Sequence, residues 1–180
     1  MASVGYDLYC RMLEDTVKIV RGEIDKEPFE TTVDIKVDAY IPSGYINDEV
    51  QKIEVYKKIA SLDSKEGIMD IQEELEDRFS DIPPSVYNLM NIAYIKSVAN
   101  KIGIVEIKEK ISEIEIRFES RNFISQDLIR GIMKKYNRKI IFKMGEEPAL
   151  GYQLKDVKRE EVIETLKEFL EYMETMVETK

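Results

Sequence analysis

Residues 74–79 of this chain have the sequence Glu-Leu-Glu-Asp-Arg-Phe, and Ile82 and Pro83 follow shortly after them. At about 100° per residue, the apolar side chains of this region share one stripe of a helix: Ile68, Ile71, Leu75 and Phe79. Five carboxylates lie on the opposite side, and we call them the acidic face: Asp70, Glu73, Glu74, Asp77 and Asp81. Arg78 lies at its flank. The pattern predicts an amphipathic helix that Ser64 caps and that ends near Ser80. Leu75 and Phe79 should be buried, and Glu74 and Asp77 exposed.

The acidic face has two interpretations. A charged surface opposite an apolar stripe is commonly only solvated. A nearly pure carboxylate surface is also suited to a basic partner, because opposite charges steer and orient association. Periodicity alone does not choose between them.

Three segments, in order, resemble the C-terminal region of bacterial transcription-repair coupling factors. Residues 74–79 resemble the family signature E-L-x-D-R-F-G-x-x-P, with Ser80 in place of the usual glycine. Residues 4–14 resemble the helix at the end of the family's motor. Residues 39–60, which include Ala-Tyr-Ile-Pro and Tyr-Lys-Lys-Ile-Ala, resemble the segment between. If the position of Ser80 needs a positive φ, the helix end should differ here.

The resemblance implies a fragment without catalytic activity from a large ATP-driven DNA translocase. Such factors remove stalled RNA polymerase from damaged DNA and recruit the repair protein UvrA. Residues 1–22 would correspond to the end of the motor, residues 23–30 to a linker and residues 31–180 to the C-terminal regulatory domain.

In the family, the regulatory domain folds back on the N-terminal UvrB-like module of the same protein and masks the surface that UvrA uses. Carried over by position, Glu74 and Asp77 would meet arginines of that module, so UvrA and RNA polymerase would be indirect partners. Two rival roles would use the same carboxylates: recruiting a basic partner, or mimicking nucleic-acid phosphates. Removing the charges would activate a lock but weaken a recruiter or a mimic.

The composition argues against several classes of binding partner and of functional site. A net charge of −9 and a pI near 4.8 argue against direct binding to nucleic acid or to an anionic membrane. The single cysteine, Cys10, has no internal disulfide partner, which fits a cytoplasmic protein. The chain has no histidine and no phosphate-binding glycine loop. We therefore expect no catalytic residues, cofactor, metal site or ATP binding.

The remaining patterns predict an α+β domain in which helices pack on a small, mostly antiparallel sheet. Alternation predicts a strand over residues 33–38, a hairpin over residues 105–118 and two short strands over residues 139–144 and 149–154. Three further helices are predicted. Asp48 caps the first, whose apolar stripe is Val50, Ile53, Tyr56, Ile59 and Ala60. The second is strongly buried, is opened by Pro83 and Pro84 and runs to about Ile102, and the third runs from Ser125 to Tyr136. A long C-terminal helix should span residues 158–178.

Overall fold

The computed structural model describes residues 29–120, 123–143 and 147–178. Within them, the helices are α1 (Glu49–Ala60), α2 (Lys65–Phe79), α3 (Pro84–Lys101), α4 (Gln126–Tyr136) and α5 (Val162–Glu178). The strands are β1 (Thr32–Asp34), β2 (Ile104–Glu109), β3 (Glu113–Phe118), β4 (Ile140–Lys143) and β5 (Ala149–Gln153). The predicted α+β class with a long C-terminal helix is confirmed. The predicted helix over residues 1–22, and the predicted linker up to residue 28, lie outside the described residues.

Three of the described helices begin directly after a capping side chain. The side chains of Asp48, Ser64 and Ser125 each accept the backbone N–H three residues ahead. This bond satisfies one of the amide groups that the first turn of a helix leaves without a partner. Helix α3 begins at Pro84, whose fixed φ and missing N–H suit a first turn.

The five strands form one sheet in the order β1-β2-β3-β5-β4. Strand β1 pairs parallel with β2, and the three other pairings are antiparallel. Strand β1 is shorter than the predicted strand over residues 33–38, because only residues 32–34 pair with β2. Beyond Asp34 the alternation continues with a buried Ile35, but no strand of the described chain pairs with it.

The fold divides into two compact units. Residues 37–94 belong to the first, and residues 29–36 and 95–178 to the second. In the first unit, α1 packs on α2 and buries Val55 and Ile59. The predicted stripe of α1 is therefore partly wrong: Val50 and Ala60 are exposed, and Val55, which the prediction omitted, is in the core.

In the second unit, one face of the sheet is apolar and the other is charged. Tyr152 of β5 packs edge-on against Phe169 of α5, with ring centroids 5.1 Å apart. The buried side chains on this face include Ile107, Ile114, Ile116, Phe118, Ile140, Leu150 and Tyr152. On the opposite face, Lys143 pairs with Glu113 and Glu115 across Gly151. Gly151 has no side chain to separate them.

Among the described residues there is neither a membrane-spanning helix nor a cluster of metal ligands. None of their helices is both long and apolar enough to cross a bilayer. In those same residues, no three acidic or Cys side chains cluster in a way that could hold a metal ion.

Candidate functional site

Helix α2 orients the acidic face as its periodicity predicts. Ile68 and Leu75 are buried, and Leu75 is only 1% exposed. Ile71 and Phe79 lie on the same side but are half-buried, so Phe79 is less buried than expected. The carboxylates therefore project away from the core of the first unit.

Glu74 differs from the expectation that it would be exposed and available. Its Oε1 atom lies 2.5 Å from Lys58 Nζ on α1 and 2.6 Å from Arg78 Nη1 one turn later. Hydrogen bonds from Lys58 and then from Arg78 lower the pKa of Glu74 below its usual range. Glu74 thus joins α1 to α2 and is already neutralised by two cations.

The side chain of Arg78 is also engaged within the first unit. Besides its ion pair with Glu74, its guanidinium carbon lies 4.9 Å from the centroid of the Phe79 ring. A cation over an aromatic face is attracted by the ring quadrupole. Arg78 therefore balances Glu74 and covers Phe79, and it does not offset the remaining acids.

The other four carboxylates of the acidic face are exposed: Asp70, Glu73, Asp77 and Asp81. Within the part of the chain that the structure describes, none of the four forms an ion pair or a side-chain hydrogen bond. Asp70, Glu73 and Asp77 are spaced by three and four residues, so they share one surface of α2. No cation of the described residues pairs with the carboxylates of this surface.

Two tyrosines fix the C-terminal end of α2. The Tyr45 hydroxyl lies 3.3 Å from the carbonyl oxygens of both Leu75 and Ser80, and its ring packs 5.9 Å from Phe79. The Tyr87 hydroxyl donates to Glu76 Oε1 at 3.3 Å. Burial, followed by the charge of Glu76, raises the pKa of both tyrosines. Both hydroxyls therefore keep the proton that these contacts need.

Ser80 ends the helix in a conformation that L-residues rarely adopt. Its φ is 73° and its ψ is −159°, and it is the one non-glycine residue with positive φ among the described residues. This region of φ/ψ space is nearly exclusive to glycine and costs about 1–3 kcal/mol for other residues. The structure therefore shows a glycine-type helix end occupied by serine.

Sequence reasoning missed two residues of this site. Lys58 is 16 positions from Glu74 and on another helix, so no helical spacing connects them. Tyr45 lies in the turn before α1, 30 positions from Leu75. Both contacts come from tertiary packing, and a local pattern carries no signal for them.

Comparisons with known proteins show the family of this chain. The family model described as TRCF domain matches residues 35–129, which is more than half of the chain. A transcription-repair-coupling factor of Staphylococcus haemolyticus is 40% identical over 121 residues, and one of Staphylococcus aureus (strain USA300) is 45% identical over 116 residues. These matches cover 66% and 63% of this chain but 10% of each relative, so the chain spans about a tenth of their length.

A solved structure has the same fold. The crystal structure of the C-terminal domain of a transcription-repair coupling factor matches with a TM-score of 0.76 and 31% sequence identity. The match covers 86% of this chain and 98% of that one. On the family match and this shared fold, the chain belongs to the TRCF domain family and corresponds to the C-terminal domain of a transcription-repair coupling factor.

Proposed function

We propose that this chain is an autoinhibitory regulatory domain of a transcription-repair coupling factor. In the full-length protein, it docks on the N-terminal UvrB-like module and masks the surface to which UvrA binds. The domain itself performs no catalysis and uses no cofactor. The observation that carries the proposal is the group of exposed carboxylates on α2 that lack any cation of their own within the described part of the chain.

The geometry favours Asp77 over Glu74 as the first contact of a partner arginine. Asp77 is exposed, whereas Glu74 is already bound by Lys58 and Arg78. An arginine can bind a carboxylate through two parallel hydrogen bonds, which gives direction as well as attraction. Glu74 would meet such an arginine only by exchanging one of its present partners.

Weak, exposed ion pairs suit a domain that must be released. Exposed pairs contribute roughly 0–1 kcal/mol each. A closed form held by several of them shifts to an open form when another interaction favours opening by only a few kcal/mol. The proposal thus requires no change of fold, only a change in the populations of docked and undocked forms.

Binding of this chain to the separately produced UvrB-like module tests the contact directly. Titration calorimetry should detect an association that weakens as salt rises, because exposed charges are screened beyond about 8–10 Å. Asp77→Arg should weaken it about tenfold, which corresponds to about 1.4 kcal/mol. Asp156→Arg makes the same charge change at an exposed position of the second unit and should stay within about twofold.

If both variants weakened binding to the UvrB-like module equally, net charge would explain the effect, and a specific contact at α2 would be rejected. Absence of binding by the unmodified chain would reject docking altogether.

A further inference from the structure

The acidic and basic residues of the chain are unevenly distributed between the two units. Residues 37–94 contain 12 Asp and Glu against 5 Lys and Arg, whereas residues 95–180 contain 16 against 17. The acidity that excludes anionic partners for the whole chain therefore belongs mainly to the first unit. It places no such limit on a surface of the second unit.

Four cations cluster in that second unit, and we call them the basic turn: Lys134, Lys135, Arg138 and Lys139. Lys134 and Lys135 lie in the last turn of α4, and the other two cations lie in the 3₁₀ turn of Asn137–Lys139. All four are exposed, and none forms an ion pair with a carboxylate of the described chain.

Other cations of the second unit are mostly paired. Arg117 binds Glu106 and Glu147, Lys143 binds two glutamates, and Arg159 binds Glu109. The Glu168 carboxylate is near enough to raise the pKa of Tyr136 after the larger effect of burial, but the four cations of the basic turn outnumber it. The net charge of this surface is therefore positive. Such a surface attracts an anionic partner.

The basic turn leads directly into β4, which is an edge of the sheet. Strand β4 pairs with β5 on one side, and no strand of the described chain pairs with its other side. Edge strands are usually protected by charge, proline or a bulge. The exposed side chain in the middle of β4 is apolar, since Ile141 is 50% exposed, and the charged residue of this strand, Lys143, is paired with Glu113 and Glu115. Among the described residues, the edge of β4 therefore has backbone groups without a strand partner, beside an apolar side chain.

These features together point to one kind of partner. An added strand satisfies the backbone groups of an open edge, and its alternate side chains give specificity. The carboxylates of an acidic strand would face the basic turn, and an apolar side chain would cover Ile141. We propose that the edge of β4 and the basic turn bind an extended acidic segment of a partner protein by strand addition. This surface goes beyond the autoinhibitory docking proposed above and uses residues of the second unit only.

Nucleic acid fits the same surface less well. Binding of single strands combines cations with aromatic rings on which bases stack. Lys135 already covers the nearby rings, with its Nζ atom 4.2 Å from the Tyr172 centroid and 5.3 Å from that of Tyr136. Phosphates would use neither the open backbone edge nor Ile141.

Fluorescence anisotropy with the whole chain tests the proposal. The probes are a short labelled peptide of alternating valine and glutamate, the same peptide N-methylated at every backbone amide, and a short DNA duplex. The first peptide should bind saturably. The N-methylated peptide, which keeps every charge but cannot add as a strand, should bind at least about tenfold more weakly. The duplex should bind more weakly than the first peptide.

Charge variants connect the binding to the basic turn. Arg138→Glu should weaken the first peptide about tenfold, equivalent to about 1.4 kcal/mol. Lys155→Glu, at another exposed lysine of the same unit, should change it by less than about twofold. Circular dichroism should give the same thermal midpoint for both variants, so that a loss of binding is not a loss of fold.

Several results would overturn the proposal. Equal affinity for the two peptides would show attraction by charge without strand addition. Tighter binding of the duplex would make the surface a phosphate site. Self-association that competes with the peptide, measured by sedimentation, would make a second copy the occupant. No binding, or no effect of Arg138→Glu, would remove the site.

Discussion

At the scale of single residues, Ser80 carries a conformational cost that glycine would not have. Its φ of 73° and ψ of −159° lie where a Cβ atom is crowded, while the Tyr45 hydroxyl and the Glu76 carbonyl hold its backbone in place. Ser80→Gly relieves about 1–3 kcal/mol of strain but adds up to about 1 kcal/mol of unfolded-state entropy. We expect a net gain of about 1 kcal/mol in the free energy of unfolding, measured by urea titration.

Ser112→Gly provides the control for that substitution. Ser112 is exposed in the turn between β2 and β3, and its φ is not positive. There, the entropic cost is not offset by relief of strain, so stability should stay the same or fall slightly. An equal change in both variants would show that Ser80 is not strained.

The ion pairs of Glu74 predict a pH dependence. Because the folded-state pKa of Glu74 is lowered, the pairs stabilise the fold fully above the unfolded-state pKa of about 4.3. This contribution is lost as the pH falls through the lower folded-state pKa. Glu74→Gln should therefore cost up to about 1 kcal/mol near pH 7. The difference should shrink as the pH falls below the unfolded-state pKa and disappear below the lowered folded-state pKa of Glu74. Urea titrations at several pH values measure it.

Glu73→Gln is the matched variant for this pH series. Glu73 is exposed on the same helix and forms no ion pair within the described chain. Its neutralisation should leave the pH profile of stability nearly unchanged. The same profile for both variants would refute a structural role for the Glu74 pairs.

At the scale of elements, the sequence predicted the features that nearby residues determine, such as helix ends and the alternation of a hairpin. Helices α2 and α3 were predicted with their ends because capping residues and prolines mark those ends. The hairpin of β2 and β3 followed from its alternation. The length of β1 and the buried face of α1 could not be predicted, because a pairing partner and a neighbouring helix determine them.

The charged face of the sheet depends on Gly151 for its packing. A Cβ atom at this position would collide with the Glu113 carboxylate, which binds Lys143 and accepts a bond from Gln153 at 2.9 Å. Gly151→Ala should therefore lower stability by about 1–3 kcal/mol, as overpacking does. Differential scanning calorimetry measures the effect. Gly44→Ala, at a turn where a Cβ meets no atom within 4 Å, should change stability by less than about 0.5 kcal/mol.

At the scale of the whole molecule, the two units differ in charge: residues 37–94 contain 12 Asp and Glu against 5 Lys and Arg, whereas residues 95–180 contain 16 against 17. The sequence predicted the acidic face, since helical periodicity aligns its carboxylates. It did not predict that Glu74 is neutralised internally while Asp77 is left available, because Lys58 comes from another helix. The autoinhibitory role itself came from the family resemblance, and the exposed carboxylates supply the physical basis on which it can be tested.

Capture of UvrA by the full-length coupling factor tests that role most directly. Glu74→Lys with Asp77→Arg places like charges against the proposed partner arginines. Glu74→Lys also sets a cation beside Lys58 and Arg78, which should cost about 1 kcal/mol of stability, but the buried apolar side chains are unchanged and the domain should remain folded. We expect the double variant to retain more UvrA in a pull-down than the unmodified protein does, and high salt to imitate it in part. Unchanged or weaker capture by the double variant would contradict autoinhibition by the acidic face.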